Sequence, residues 1–245
     1  MNSLTVYKSS NKERLGSQYD GGYVIQRGHS YDLFISCGIS DDITFELDFI
    51  NKNSITCMAY DGTIENIPAS SDNAAKQIRF FKKNIGIMNS DKTTNLHNEI
   101  YLYNNIFLKM DIETFEYRWF QTLSDTQLNK FKQIVIEFHF PFTNYPFNHL
   151  DVDIPVEEKM NVFEKLKKTH VLIHFHANNC CGTTAYNNIV APNVFECTFI
   201  RKDVHIDLGL NDEVIPSPLD SPCVKNKPDI ILSHPPFCFV KENIL

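Results

Sequence analysis

The sequence predicts an α/β protein built on a mostly parallel sheet, and three observations carry that expectation. Seven short apolar, β-rich runs alternate with polar or helical stretches. No internal repeat interrupts the alternation. A chain of 245 residues with 42% hydrophobic and 22% charged side chains suits one domain around one core. Within that domain we expect an N-terminal cap over 1–30, a core sheet over 31–202 and an extended tail over 203–245.

Tyr31 to Cys37 reads as a buried strand ended by Gly38. Ile43, Phe45, Leu47, Phe49 and Ile50 then fall where a short helix buries much of its surface, with Asp41 or Asp42 as its cap. Ser54 to Tyr60 is a second strand stopped by Asp61-Gly62; Ala74 to Gln77 suggests a short helix, and a third strand is expected around Lys83 to Ile87. Ile106 to Met110 follows as a strand, then a helix through Phe115 to Leu123, then a fifth strand from Gln133 to His139. Val156, Met160, Phe163 and Leu166 recur at helical spacing on a segment otherwise filled with Glu and Lys. Val171 to His176 and Val194 to Ile200 supply the last two strands. Six of the eleven prolines lie after residue 215, so the tail is expected to run extended over the surface. Ahead of the first strand, Asp20-Gly-Gly-Tyr23 favours positive φ and suits either a plain hairpin or a loop closing over a ligand.

Composition excludes several classes. With 23 basic against 30 acidic residues the net charge is −7, and no concentrated basic run exists for nucleic-acid binding. No segment approaches the roughly 20 apolar residues of a membrane helix. The polar N-terminus lacks a signal-peptide stretch, so a cytoplasmic protein with seven reduced thiols is expected.

In an open parallel sheet, ligands bind beyond the carboxyl ends of the strands. Gly38 lets the backbone approach a ligand, and a lone acid after the second strand, Asp61, can accept both hydroxyls of a ribose. There is no GxGxxG and no GxxxxGK[ST], so these residues equally suit a strand end and a turn. A second constellation is denser. Five of the nine histidines (His139, His149, His170, His174, His176) fall in one 38-residue window, beside Asp111 and Glu137 at strand ends. Period two puts Glu137 with His139, and His174 with His176, on one side of their strands. Such groups supply a general base or hold a divalent metal.

Several blocks resemble the FkbM-type S-adenosylmethionine-dependent methyltransferases, in the branch linked to glycan and sugar modification. They are Asp20-Gly-Gly-Tyr-Val24, Phe34 to Glu46, Leu108-Lys-Met-Asp-Ile-Glu113, Val135 to His139, His174 to Asn179 and Phe195 to Phe199. Thr114-Phe115 depart from the resemblance, since the family commonly continues with Gly and a small or acidic residue. The resemblance implies a class I methyltransferase (Rossmann-like) fold, a seven-stranded, mostly parallel sheet with helices on both faces and its last strand reversed. It further implies that Gly38 and the turn from Ser40 to Asp42 border the methionine part of S-adenosylmethionine, that Asp61 holds the ribose, and that Gly21, Gly22 and Tyr23 cover the cofactor. Asp111 would lie between cofactor and acceptor.

The expected activity is transfer of a methyl group to a hydroxyl of a sugar, nucleotide-sugar or glycan. His139, or Mg or Mn held by Asp111, Glu137 and His139, would activate the acceptor oxygen; His174, His176, Asn178 and Asn179 would bind the acceptor, His176 with a share in catalysis. Two alternatives stay open. One is a metal-dependent hydrolase using the His174/His176 pair and the Asp111/Glu137 carboxylates; the other is a non-catalytic binding module.

Overall fold

The structure, a computed structural model, describes residues 2–143 and 154–240. His149 lies outside the described residues. The chain begins with a hairpin of β1 (Lys12–Gly16) and β2 (Gly22–Gln26), followed by β3 (Leu33–Cys37), α1 (Thr44–Asn53), β4 (Cys57–Tyr60), a 3-10 turn over Asn73–Gln77 and β5 (Ile78–Phe81). The two-residue strands β6 (Asn84–Ile85) and β7 (Thr93–Thr94) and helix α2 (His97–Leu102) lead to β8 (Ile106–Met110), α3 (Glu116–Thr122), α4 (Asp125–Leu128) and β9 (Phe131–His139). Then come α5 (Val156–Thr169), β10 (His170–Ala177), a hairpin of β11 (Thr183–Tyr186) and β12 (Ile189–Pro192), and β13 (Val194–Arg201).

Seven strands form one sheet in the order β10-β13-β9-β8-β3-β4-β5. β5, β4, β3, β8 and β9 run parallel, and β13 lies antiparallel between β9 and β10. The α/β class and the seven-stranded, mostly parallel sheet are therefore as expected.

The two-residue period of the strands divides the core into two layers. β3 sends Phe34 to one face and Leu33, Ile35 and Cys37 to the other; β8 does the same with Phe107 against Ile106, Leu108 and Met110. The first face is covered by α1 and the β1–β2 hairpin, the second by α2, α3, α5 and parts of the tail. On the first face Phe49 lies 4.6 Å from Phe34 and 4.0 Å from Phe107 between ring centroids. Each such ring contributes about 1.5–3 kcal/mol of burial, enough to hold the strand ends beside it in fixed register.

Several sequence expectations shift. The third strand of the sheet is Ile78–Phe81, and 83–87 contributes only the short β6–β7 ladder. β5 is an edge strand, half exposed, so its apolar signal is weak. In α5 Phe163 and Leu166 are buried, with Val162 beside them, whereas Met160 is only half-buried and Lys159 turns inward. Its ammonium is satisfied by the carbonyls of Phe140 and Thr143 at 2.9 and 2.8 Å. Cys180 and Cys181 are joined in a disulfide, against the expectation of seven reduced thiols, where the turn after β10 brings their sulfurs together; the other five are free and buried. The tail runs irregularly over the surface, tied by single bridges of Tyr7 to Leu210 and Ile215 to Leu232. Among the described residues no helix is long and apolar enough to cross a membrane.

Candidate functional site

The loops after β3, β4, β8 and β9 meet at the carboxyl edge of the sheet, and Gly38 shows how closely. Its φ is +79°, and a Cβ there would fall 1.7 Å from the Asp111 carbonyl oxygen. The Asp111 amide donates to Cys37 O at 2.9 Å, so the first and fourth strand ends are stitched together. Beneath them the Lys109 ammonium donates to Gly38 O at 2.9 Å and lies 3.4 Å from the buried Glu46 carboxylate.

Asp61 sits where expected, at the end of β4, with its acceptor sites in use. Oδ2 accepts from the amides of Ile39 and Ser40, both at 2.9 Å, and Oδ1 from the amide and hydroxyl of Thr63, at 2.7 and 2.5 Å. Burial works against its charge, but these bonds outweigh it and hold the carboxyl below the usual range. Oδ2 fixes the β3 loop, and Oδ1 is engaged by Thr63 two residues on. Asp42 accepts the Ser17 hydroxyl at 2.6 Å and the Thr44 amide at 2.7 Å, which ties the hairpin turn to the start of α1. Gly21 ends that turn and Gly22 opens β2, from which Tyr23 reaches down to donate its hydroxyl to Asp111 Oδ2 at 3.3 Å.

Around His139 four carboxylates converge. Nε2 lies 3.8 Å from Asp111, 3.5 Å from Glu113 and 3.5 Å from Glu137, while Nδ1 bonds Glu116 at 3.1 Å. Burial opposes a charge on the ring, yet the Glu116 and Glu137 carboxylates outweigh it and raise the His139 pKa well above the ordinary value. Burial, reinforced by the Glu137 charge, raises Asp111 out of the usual carboxylate range. That shift favours the protonated ring, so His139 would have to give up a proton before acting as a base. A ligand role also fits, with the cation taking the place of the Nε2 proton. One ligating atom each from Asp111, Glu137 and His139 lie within 4.8 Å of one another, and Asp111 Oδ1 is buried without a hydrogen-bond partner. With Nε2 turned to a metal, Nδ1–H would donate to Glu116, the outer carboxylate that orients such ligands.

The remaining histidines form a separate group. β13 intervenes between β9 and β10, so Glu196 lies directly across from Glu137 on one side and His176 on the other. His174 bonds Asp220 of the tail at 2.8 Å. Asn178 reaches back, donating to Glu137 at 2.7 Å. Asn179 is committed elsewhere: it accepts the Val224 amide at 2.7 Å and donates to the carbonyls of Val224 and Lys227 at 3.1 and 3.0 Å. It staples the tail and has no amide group left for an acceptor. His174 and His176 are likewise covered by the tail, and His170 lies at the opposite end of β10.

No protein-family model matches the chain, and no curated protein matches it. Among solved structures it is similar to "Putative hemolysin from Streptococcus thermophilus", at 8% identity over 74% of this chain and 71% of that one, with a TM-score of 0.35. A likeness of that size assigns no function.

Sequence reasoning missed Glu116, Glu196, Asp220, Cys223 and Asp229. Glu196 had a signal, a lone charge inside the apolar run from Val194 to Ile200. Glu116 opens α3 and looks like an ordinary first-turn acid, and the three tail residues lie in a segment without period.

Proposed function

We propose that the protein is an S-adenosylmethionine-dependent O-methyltransferase acting on a hydroxyl of a sugar, nucleotide-sugar or glycan. The observation that carries this reading is the sheet order, with the last strand in sequence reversed and inserted between β9 and β10. A reversed last strand is what the sequence resemblance implies, so this arrangement supports the reading, as does the acidic cluster at the carboxyl ends of β8 and β9.

S-adenosylmethionine, when bound, supplies a methyl group on a sulfonium, so the protein's own task is to place the acceptor and take its proton. The acidic edge formed by Asp111, Glu113, Glu116 and Glu137 favours a cationic group electrostatically. Asp111, Glu137 and His139 are the residues that would hold Mg or Mn, whose charge would acidify a bound hydroxyl. Glu116 fixes the His139 ring, and Asn178 fixes Glu137. Tyr23 closes the edge from the hairpin.

Calorimetric titration with S-adenosylhomocysteine, with and without Mg, tests the cofactor without a choice of acceptor. Micromolar binding, about −8 kcal/mol, is expected, with loss of binding in Asp61→Asn. No heat from folded protein under either condition overturns the proposal.

A further inference from the structure

We propose that His176, Glu196 and Cys223 form a second cation site, built for a thiolate-accepting divalent ion of the zinc class, and that the ion clips the C-terminal tail to the sheet. The site shares no residue with the Asp111, Glu137 and His139 group and stands whether or not the protein transfers methyl groups.

Three separate segments bring the ligands together. His176 on β10 and Glu196 on β13 are cross-strand partners, and Cys223 comes from the tail, 27 residues after Glu196. One ligating atom from each lies within 4.8 Å of the others, and the residues are 1%, 4% and 7% exposed. The contacts between them are long: Nδ1 of His176 is 3.3 Å from Glu196 Oε2, and Cys223 Sγ is 3.5 Å from Glu196 Oε1.

An independent observation points into the same place. His176 Nε2 and Asp229 Oδ1 are both buried, neither makes a hydrogen bond, and they lie 3.7 Å apart. A second tail residue thus presents an unsatisfied carboxylate oxygen to the same ring, either as a fourth ligand or as the outer carboxylate that orients the imidazole.

The donor set chooses the ion. Imidazole, carboxylate and thiolate together are the ligands of tetrahedral zinc, whereas magnesium and calcium prefer oxygen alone. Binding forms metal–sulfur and metal–nitrogen bonds as the Cys223 thiol and the His176 ring each release a proton to solvent. Closing the 27-residue connection removes chain entropy from the opened state, so the ion stabilises the tail most.

The test uses the full chain, stripped with chelator under a non-thiol reductant and titrated with Co²⁺ as the spectroscopic probe. One equivalent is expected to raise a thiolate-to-cobalt charge-transfer band in the near ultraviolet, abolished by excess Zn²⁺. Cys223→Ser removes the band and Asp111→Asn keeps it. No band at millimolar Co²⁺, or a band that Cys223→Ser retains, overturns the proposal. If Cys223→Ser does not fold, His176→Gln and Glu196→Gln take its place, and a band at full intensity in both overturns it equally. In the unmodified protein Zn²⁺ is expected to slow protease cleavage of the tail several-fold, and equal cleavage with and without it counts against the clip.

Discussion

Thr114 stands in a conformation its side chain disfavours. Its φ is +82°, the left-handed region where a β-branched residue is an outlier, and its hydroxyl oxygen is buried without a hydrogen-bond partner. The strain costs about 1–2 kcal/mol, and the orphaned hydroxyl about 1 kcal/mol more. Glycine would give back roughly 1 kcal/mol of that as extra freedom in the unfolded chain. Thr114→Gly is therefore expected to stabilise the protein by about 1 kcal/mol, a rise in Tm of about 2–4 °C. Scanning calorimetry checks this, and a Tm at or below that of the unmodified protein refutes it. The departure from the family resemblance was visible in the sequence at this position. Its meaning was not, because handedness of a single backbone unit follows from how the loop after β8 must turn to bring Asp111 under Gly38.

Strands and helices were recoverable in proportion to how completely their neighbours bury them. β8, between β9 and β3, is buried along its whole length and its apolar run could be read directly. β5, at the edge, was placed several residues late, and the inward face of α5 was read with Met160 where Lys159 turns in. The start of β10 carries a pH-dependent contact that no periodicity reveals. His170 is 1% exposed; its Nε2–H donates to Phe131 O at 2.9 Å, and Nδ1 accepts the Thr169 hydroxyl at 2.8 Å. Burial pushes its pKa down to about 4. A histidine depressed in the folded state is neutral there while the unfolded chain binds a proton, so its contribution is present above about pH 6.5 and is lost as pH falls toward 4. The loss amounts to about 3 kcal/mol. Urea midpoints from pH 7 to pH 4 are expected to fall more steeply for the unmodified protein than for His170→Gln; parallel curves would remove His170 as a source of acid sensitivity.

The tail covers the polar face of β9, β13 and β10, and one of its anchors is the single amide of Asn179. The side chain of Asn179 makes bonds to Val224 and Lys227 that span 45 and 48 residues, and His174 reaches Asp220 across 46. Contacts of that separation leave no period in the sequence, which is why clustered prolines announced an extended tail but not what it covers. The same gap explains the divided site: strand-end residues on β8 and β9 could be placed together from alternation alone, whereas the insertion of β13 between β9 and β10, and the arrival of Cys223 and Asp229, depend on topology. If Asn179 is the staple, Asn179→Ala removes its hydrogen bonds at about 1 kcal/mol each and opens the tail locally while the sheet stays folded. Lys225, exposed within the stapled segment, then becomes the preferred tryptic site. Cleavage there is expected to accelerate on the order of a hundredfold, followed by mass spectrometry of the fragments, with the 33–139 region protected as before. Unchanged cleavage at Lys225 would show that the tail is held by its apolar anchors, Ile215, Leu232 and Phe237, without need of Asn179. Equal acceleration across the sheet would show instead that tail and sheet open as one cooperative unit.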